Sequence, residues 1–394
     1  MTNFSQLATL RRNPGTGGLP LHRRALRWWA DQPGFTDLQR AMTLGGLGPA
    51  LLMGCAVAGS AHGVLVIPAH GSAAATAPAK VSRFDAPAPQ ALSETVERLV
   101  RNFGGKAGVS VVGVDDGWMV SANGNTRMPQ QSVSKLWVTM TVLDAVDQGH
   151  IGLDDPLTIT EADFTVFHQP IAALVKKDVG YRSTVREIIR RAMTMSDNTC
   201  NDKLLRLVGG PQAVRSFIQR KQLGAIRFGP GERLLQAGTA GLEWKPEYSR
   251  GNAFALARSQ LSPNVRLAAF ESYVADPVDG AAPSAIAVAL ARLQKGELLS
   301  PSSTAWLMSV MQSSHTGRQR LRGAVPPGWQ FGHKTGTGQD LRGRTAGYND
   351  VGLLVAPDGR TYSVAVMIGD TRRPIPERQG LMQAVVTALV ANHR

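Results

Sequence analysis

The sequence predicts an α+β fold in which one antiparallel sheet is built from both ends of a domain and a helical subdomain is inserted into it. Two observations support this prediction. Strand patterns joined by tight turns occur near both ends of the region 91–394, and the residues between them show mainly helical spacing of apolar side chains. Strands at both ends with helices between them imply a single sheet that the two ends of the domain close.

The first elements of this region are a helix and a hairpin. Apolar residues at helical spacing predict a helix over 93–103, which Gly104 and Gly105 end. The run 109–114 predicts a strand, and a turn at Asp115-Asp116-Gly117 joins it to a second strand over 118–120.

The same pattern returns near the C-terminus. Residues 351–355, a turn at 357–359 and residues 362–368 predict a second hairpin, and a last helix follows with Leu381 and Leu389 on one face. Helical patterns between the two hairpins include 136–146 and 185–195. These helices are expected to form the inserted subdomain.

The composition allows one large domain with a tail, or two ordinary domains, in a chain of 394 residues. Apolar residues make up 43% and charged residues 18%, which excludes disorder along the whole chain. The net charge is +14, but the basic residues crowd near the N-terminus and otherwise scatter, without interleaved aromatic residues. We therefore expect no nucleic-acid partner.

Metal and disulfide chemistry have little support in the sequence. The two cysteines, Cys55 and Cys200, belong to no CxxC or Cys/His cluster and lie in different segments of the chain. The histidines lack the spacing of metal ligands, and His333 is expected to be a strand residue beside the site. We predict no metal, no cofactor and no disulfide between the two cysteines.

The first 90 residues divide into three segments by composition. Residues 1–41 are rich in arginine, residues 42–69 contain no Asp, Glu, Lys or Arg, and residues 70–90 are rich in Ala, Pro and Ser and resemble a linker. Positive charge before an apolar run predicts an export signal, either cleaved after Ala75 or kept as a membrane anchor. Lipidation at Cys55 is a further alternative. The domain at 91–394 is expected to be periplasmic or otherwise exported, and monomeric.

Ser132 and Lys135 are the first candidate catalytic pair. They lie three residues apart where an apolar helix begins, so both side chains are expected on one helical face. A neutral hydroxyl is a weak nucleophile and needs a base or a cation beside it. The start of a helix adds free N–H groups and a positive end. The pattern favours nucleophilic serine chemistry.

Two further motifs follow in the chain. Ser196-Asp197-Asn198 comes after an amphipathic helical stretch, and Lys334-Thr335-Gly336 follows a strand-like stretch. A glycine beside a strand allows a ligand to approach the backbone closely. Each motif alone has an ordinary structural explanation: a serine near a helix N-cap with a solvated lysine for the first, and a turn for each of the other two. The three together match, in order, the SxxK, SDN and KTG set of class A β-lactamases and penicillin-binding proteins.

The region from about Ser93 to Arg394 resembles a class A β-lactamase. Smaller matches accompany the three motifs, among them Gly209-Gly210-Pro211, the run Asp276-Pro277-Val278-Asp279 and the pair Asn349-Asp350. The resemblance implies a β-lactamase/transpeptidase-like fold and a small-molecule β-lactam or a cell-wall peptide as the substrate.

The resemblance also implies catalytic roles. Ser132 is acylated, Lys135 helps to activate it, and Ser196 passes a proton to the leaving nitrogen. The backbone N–H groups of Ser132 and Thr337 form the oxyanion hole.

Substrate-binding roles follow from the same resemblance. Asn198 holds the substrate amide, and Lys334 and Thr335, with Gly336 beside them, bind the substrate carboxylate. Arg342 or Arg344 is expected to add a second cation for that carboxylate. Phe167 lies where the family has an aromatic gate.

The deacylating glutamate is the point at which alternatives remain. The family carries it in an E-x-x-L-N pattern of its Ω loop, and Glu232 begins an E-x-x-L run that ends in Gln236 instead of asparagine. Glutamine keeps a carbonyl and an amide that can hold a water molecule, although it is one methylene longer. A rival alignment places the base at Glu243 or Glu247.

Two further departures from the family concern the same loop. The arginine expected shortly before the glutamate is absent, which would leave Asp279 without an ion-pair partner. Residues 237–275 are expected to be an insertion, and our hypothesis is that it reshapes the rim of the site.

Three functions remain open on the sequence alone. The preferred one is a serine β-lactamase that hydrolyses its acyl-enzyme. A penicillin-binding-protein-like D,D-peptidase or transpeptidase shares the Ser132 chemistry, and the altered glutamate pattern favours it more than in a typical family member. A non-turnover β-lactam sensor anchored by residues 42–69 ranks last, because residues 1–41 are short for a cytoplasmic effector domain.

Overall fold

The structure is a computed structural model that describes residues 81–393. The segments 1–41 and 42–69 and the first part of the linker, with the predictions made for them, lie outside the described residues. None of the helices within residues 81–393 is both long and apolar enough to cross a bilayer.

A five-stranded antiparallel sheet forms the centre of the fold. Its strands are β1 Lys106–Gly113, β2 Trp118–Ala122, β7 Gln330–Thr337, β10 Tyr348–Val355 and β11 Thr361–Asp370. Three short pairs lie outside it: β3 Met128–Pro129 with β6 Gly280–Ala281, β4 Pro156–Ile159 with β5 Tyr181–Thr184, and β8 Asp340–Leu341 with β9 Arg344–Thr345. The order across the main sheet is β2-β1-β11-β10-β7. Because β1 pairs with β11, both ends of the domain close the sheet, as the sequence predicts.

The helices follow one another between and beside these strands. They are α1 Gln90–Asn102, α2 Lys135–Asp147, α3 Val185–Thr194, α4 Asn198–Leu207, α5 Pro211–Arg220, α6 Glu232–Thr239, α7 Ala253–Ser259, α8 Pro263–Ala275, α9 Pro283–Gln294, α10 Pro301–Gln312 and α11 Ile375–Ala391. Except for α1 and α11, they lie between the two hairpins in the chain.

Both faces of the sheet are covered, so successive strand residues point into different apolar layers. Val109 and Val111 of β1 belong to a core with the terminal helices α1 and α11, whereas Val112 belongs to the core shared with the helical subdomain. At the centre of the second core, Trp137 of α2 is fully buried. Burial of one such large apolar side chain stabilises the fold by roughly 1.5–3 kcal/mol.

The elements begin earlier than local sequence patterns indicate. Helix α1 starts at Gln90, three residues before the predicted start, because Leu92 is fully buried in the core beneath the sheet. Strand β1 starts at Lys106 because Lys106 and Ala107 pair with β11. Packing in the core extends the helix, and pairing with β11 extends the strand, into residues whose own apolar pattern predicts neither element.

Strand β10 fastens the sheet to the turn that precedes Ser132. The side-chain amide of Asn349 donates to the carbonyl oxygens of Pro129 and Gln130 at 2.8 and 3.0 Å, and its oxygen accepts from the backbone N–H of Ile368 at 3.2 Å. Gly336 makes the close approach feasible, because a Cβ there would lie 2.3 Å from the carbonyl oxygen of Gln130. These contacts therefore fix the position of the turn at Pro129 and Gln130 relative to the sheet.

We expect Asn349→Ala to lower the free energy of unfolding by about 2–3 kcal/mol, because it removes three buried hydrogen bonds to backbone groups. Urea unfolding of the wild type and the variant measures the difference. Asn392→Ala is the matched control, since Asn392 donates one hydrogen bond within its own helix end, and it should cost less than about 1 kcal/mol. Equal costs for the two variants would contradict the role given to Asn349.

Candidate active site

Ser132 lies in a short 3₁₀ helix, Gln131–Ser134, between β3 and α2. Its side chain is half-buried, and its neighbour Gln131 has a left-handed backbone with φ 55°. Since a non-glycine residue in that conformation is strained, surrounding contacts must hold the turn in place.

Lys135 joins the candidate catalytic side chains. It begins α2 and is fully buried. Its Nζ lies 2.9 Å from Ser132 Oγ and 3.0 Å from Asn198 Oδ1, and it forms an ion pair with the Glu232 carboxylate. The structure thus brings three of the other predicted site residues together around the Lys135 ammonium group.

Glu232 is held at the first position of α6. Its backbone N–H and that of Arg233 donate to the carboxylate of Asp202 at 2.9 and 3.1 Å, and the Glu232 side chain is buried. Gln236 donates to Glu232 Oε2 at 3.2 Å, so the longer amide still reaches the glutamate.

The two rival glutamates lie elsewhere. Glu243 and Glu247 are both exposed, and neither lines the cavity in front of Ser132. Glu232 is the one carboxylate among the described residues that line this cavity.

The Ser196-Asp197-Asn198 motif forms the turn into α4. Ser196 has φ 61°, and Asp197 caps the helix by accepting from the backbone N–H of Cys200 at 2.9 Å. Asn198 is buried, and its amide also donates to the carbonyl oxygen of Val166 at 3.0 Å. The turn is therefore built by backbone capping, and it presents Ser196 and Asn198 to the cavity.

Lys334, Thr335 and Gly336 lie on β7, beside the nucleophile turn. Lys334 is fully buried and donates to Ser196 Oγ at 3.0 Å and to the carbonyl oxygen of Thr335 at 2.9 Å. Burial, together with the nearby charges of Lys135 and Arg320, holds the pKa of Lys334 well below its ordinary value. Thr335 and Thr337 line the cavity at the end of the same strand.

The cavity has a volume of about 990 Å³. Its lining includes Ser132, Ser196, Asn198 and Thr335 of the three motifs, and also Phe167, Tyr248, Phe254, Thr316 and Arg320. Phe167 has φ 67°, and its ring packs edge-on against Phe254 with 5.3 Å between the ring centroids. The predicted gate residue is thus at the cavity, supported by a ring from another segment.

That supporting ring comes from residues 237–275, the predicted insertion. Its first residues complete α6, and the rest form a 3₁₀ turn followed by α7 and α8. The segment is fastened to the helical subdomain by a hydrogen bond from Gln169 to the Ser249 carbonyl oxygen at 2.9 Å and by an ion pair between Arg250 and Glu161. It contributes part of the cavity wall.

Arg320 is the cation that sequence reasoning missed. Arg344 binds Glu271 and Asp370, Arg342 is exposed, and neither lines the cavity, so the expectation of a second cation there was wrong for both. Arg320 lines the cavity, donates to Thr337 Oγ1 at 2.5 Å, and lies 3.8 Å from the ring centroid of Tyr348. No local pattern distinguishes it, because it comes from a loop that only the tertiary fold brings to β7.

Asp279 has no ion-pair partner among residues 81–393, as expected from the missing arginine. It accepts hydrogen bonds from the backbone N–H of Gln131 at 2.8 Å and from the Tyr273 hydroxyl at 2.9 Å. Burial raises the pKa of Asp279 to about 6, although both hydrogen bonds oppose that rise. Tyr273 was not anticipated from the sequence.

A family model described as the beta-lactamase enzyme family matches residues 91–392. The chain belongs to the class A β-lactamase family. The extended-spectrum β-lactamase PER-1 of Pseudomonas aeruginosa is 29% identical over 282 residues, which are 71% of this chain and 80% of that protein.

Solved structures of β-lactamases share the fold of this family member. A β-lactamase from Chitinophaga pinensis superposes with a TM-score of 0.63 at 26% identity, covering 76% of this chain and 99% of the other. An ancestral class A β-lactamase, GNCA, gives a TM-score of 0.59 at 28% identity, covering 77% and 100%. The predicted α+β fold and family are thereby confirmed.

The raised pKa of Asp279 predicts a pH-dependent stability of this β-lactamase. Between the ordinary pKa of 3.8 and about 6, the folded state binds more protons at Asp279 than the unfolded state. Stability from this group is therefore greatest at low pH and falls as pH rises through that window, by about 2–3 kcal/mol.

Urea unfolding at pH 4 and pH 7 of the wild type and Asp279→Asn checks this sign. Because asparagine does not titrate, the stability of Asp279→Asn relative to the wild type should increase between pH 4 and pH 7. A difference that stays constant with pH would show that Asp279 has an ordinary pKa.

Proposed function

We propose that this protein is an exported serine β-lactamase that hydrolyses the β-lactam amide through an acyl-enzyme on Ser132. The observation that carries the proposal is the Lys135 ammonium group, which contacts both the Ser132 hydroxyl and the Glu232 carboxylate. A nucleophile, a cation and a carboxylate base in direct contact can serve both acylation and the hydrolysis of the resulting ester by water.

In acylation, Ser132 Oγ attacks the lactam carbonyl carbon. A proton passed from Lys135 to Glu232 leaves an amine that can take the Ser132 proton, since Lys135 lies within hydrogen-bond distance of both. The backbone N–H groups of Ser132 and Thr337 stabilise the oxygen that becomes negative. The tetrahedral intermediate then collapses as the C–N bond breaks.

The leaving nitrogen needs a proton, and Ser196 supplies it. Lys334 is placed 3.0 Å from Ser196 Oγ, and its lowered pKa makes it a better proton donor to that oxygen. Ser196 therefore gives its hydroxyl proton to the nitrogen and regains one from Lys334.

The substrate carboxylate binds at the cationic end of the cavity. Thr335 and Thr337 offer hydroxyl groups there, and the positive charges of Lys334 and Arg320 favour an anion. The Asn198 side-chain amide holds the amide of the acyl side chain. These contacts place the lactam carbonyl against Ser132.

Exchange with water molecules removes the proton from Glu232 and returns one to Lys334, so both groups regain their starting charges. In deacylation, Glu232 then takes a proton from a water molecule as that water attacks the Ser132 ester. The ester bond breaks, and Ser132 Oγ recovers a proton from Lys135, which regains one from Glu232. Gln236, hydrogen-bonded to the second oxygen of Glu232, orients this carboxylate. The hydrolysed, ring-opened acid then leaves.

Export is proposed from residues 42–69, and it fits a substrate that acts outside the cytoplasm. Cleavage, lipidation or retention of this segment remain alternatives, as does membrane anchoring through it. A monomer stays our prediction for the catalytic domain.

We expect Ser132→Ala to abolish both the burst and the turnover of a chromogenic cephalosporin. Glu232→Gln should still form about one equivalent of acyl-enzyme, although more slowly because the acceptor of the Lys135 proton is lost, and its turnover should fall about 10²–10⁴-fold. The reason is that acylation needs the serine, whereas hydrolysis of the ester needs the carboxylate base. Stopped-flow kinetics from milliseconds to minutes separates the two phases.

Glu243→Gln is the matched control, because Glu243 is exposed and does not line the cavity. It should turn over at the wild-type rate within about twofold. Stalling in Glu243→Gln instead of Glu232→Gln would move the base to the rival alignment. A single burst in the wild type would favour the peptidase or the sensor over the β-lactamase.

Arg320→Ala should lower kcat/KM about 10- to 100-fold for substrates that carry the ring carboxylate, because a charge-assisted contact is worth about 1.5–3 kcal/mol. Arg344→Ala removes an arginine of similar size that binds Glu271 and Asp370 away from the cavity, and should change kcat/KM less than about threefold. Equal losses in the two variants would refute the assignment of the second cation to Arg320.

A further inference from the structure

The turn that carries Ser132 is held in a strained conformation by groups outside the catalytic set. Gln131 has φ 55° and is 4% exposed, so neither glycine-like freedom nor solvent accounts for its backbone. Strain of this kind persists where the surroundings fix the residue from several directions.

Gln131, Tyr273 and Asp279 form a closed ring of three hydrogen bonds. The backbone N–H of Gln131 donates to Asp279 Oδ2 at 2.8 Å, and its side-chain amide donates to the Tyr273 hydroxyl at 2.7 Å. The Tyr273 hydroxyl in turn donates to Asp279 Oδ1 at 2.9 Å. All three side chains are buried.

This ring joins the turn that carries Ser132 to the C-terminal end of the segment 232–279. Asp279 follows α8, on which Tyr273 lies, and Glu232 is the first residue of α6. The near end of the segment is fixed separately, by the bonds from Glu232 and Arg233 to Asp202. The far end depends on Asp279, whose carbonyl oxygen also accepts from Gln130 at 2.5 Å.

A neutral hydroxyl therefore takes the place at Asp279 that a cation would otherwise fill. The groups that face the Asp279 side chain are the Tyr273 hydroxyl and the Gln131 N–H, and the charge of Glu232 also acts on it, unfavourably. Without the hydroxyl, the Asp279 carboxylate would lose a donor and the Gln131 amide would keep only its longer bond, 3.4 Å, to the Ala346 carbonyl oxygen. The loss of a buried hydrogen bond is costly.

We propose that Tyr273 is a positioning residue of this enzyme, whose hydroxyl locks the end of the segment 232–279 to Gln131 and so keeps Glu232 aligned with the Ser132 ester. The inference rests on the proposed hydrolytic function. Deacylation is the step affected, because Tyr273 of α8 belongs to one apolar cluster with Leu235 of α6, the helix that Glu232 begins, so a shift of α8 is passed to the base. Ser132 is held in addition by the Asn349 bonds to its turn.

The test compares wild type with Tyr273→Phe in stopped-flow kinetics with a chromogenic cephalosporin. The variant should keep the rate of the acylation burst within about threefold and lose about 10- to 100-fold in steady-state turnover, since small displacements of a catalytic group have effects of that size. Intact-protein mass spectrometry should show the acyl-enzyme accumulating in the variant.

Tyr362→Phe is the matched control, because it removes a buried tyrosine hydroxyl that bonds His393 at 2.8 Å on the far side of the sheet. Thermal unfolding of both variants measures the loss of stability that any missing hydroxyl causes. A structural role alone would give the two variants similar losses in melting temperature and no difference in the ratio of burst to turnover.

Asp279→Asn changes the acceptor of the same hydrogen-bond ring and gives an independent test of its role. Because both changes act on one network, the double variant Tyr273→Phe/Asp279→Asn should lose little more turnover than either single variant. Multiplying losses would overturn the proposal, as would wild-type turnover in Tyr273→Phe. A wild type that acylates without turnover would instead overturn the proposed function, and this inference with it.

Discussion

The arrangement of the site depends on one buried ammonium group, that of Lys135. A charge removed from water is costly unless it is paired and hydrogen-bonded, and Lys135 meets this condition by contacting Ser132, Asn198 and Glu232 at once. These three partners come from separate elements, so the ammonium group ties the nucleophile turn, α4 and α6 together. The contacts that compensate the burial of the Lys135 charge therefore also bring the nucleophile and the carboxylate base together.

The other charges are arranged around that centre so that the site favours an anion. Lys334 is buried on β7, and Arg320 reaches the end of the same strand from a separate loop. Glu232 is the one acidic side chain among the described residues of the cavity wall, and it is already paired with Lys135. The remaining positive charge lies beside Thr335 and Thr337, where a carboxylate can be bound. Burial, together with the charges of Lys135 and Arg320, lowers the pKa of Lys334.

The sequence predicted those parts of the protein that short-range patterns specify. Two hairpins and a helical middle section are enough to infer a sheet that joins both ends of the domain. Three motifs are enough to bring Ser132, Asn198 and Lys334 to one site. Arg320 and Tyr273 were missed because their importance arises from contacts with residues far away in the chain, Thr337 and Asp279. The choice between Glu232 and the two later glutamates was open for a related reason, since burial and cavity position, not local spacing, separate them.

The long segment between Glu232 and Asp279 is compatible with catalysis because its ends are held independently of its length. Doubling the length of a flexible loop costs only about 0.6 kcal/mol in closure entropy, whereas a single unsatisfied buried hydrogen-bonding group costs about 1–3 kcal/mol. The bonds of Asp202 at one end and of Asp279 at the other therefore matter more than the number of residues between them. The middle of the segment is then free to supply Tyr248 and Phe254 to the cavity wall without moving the base.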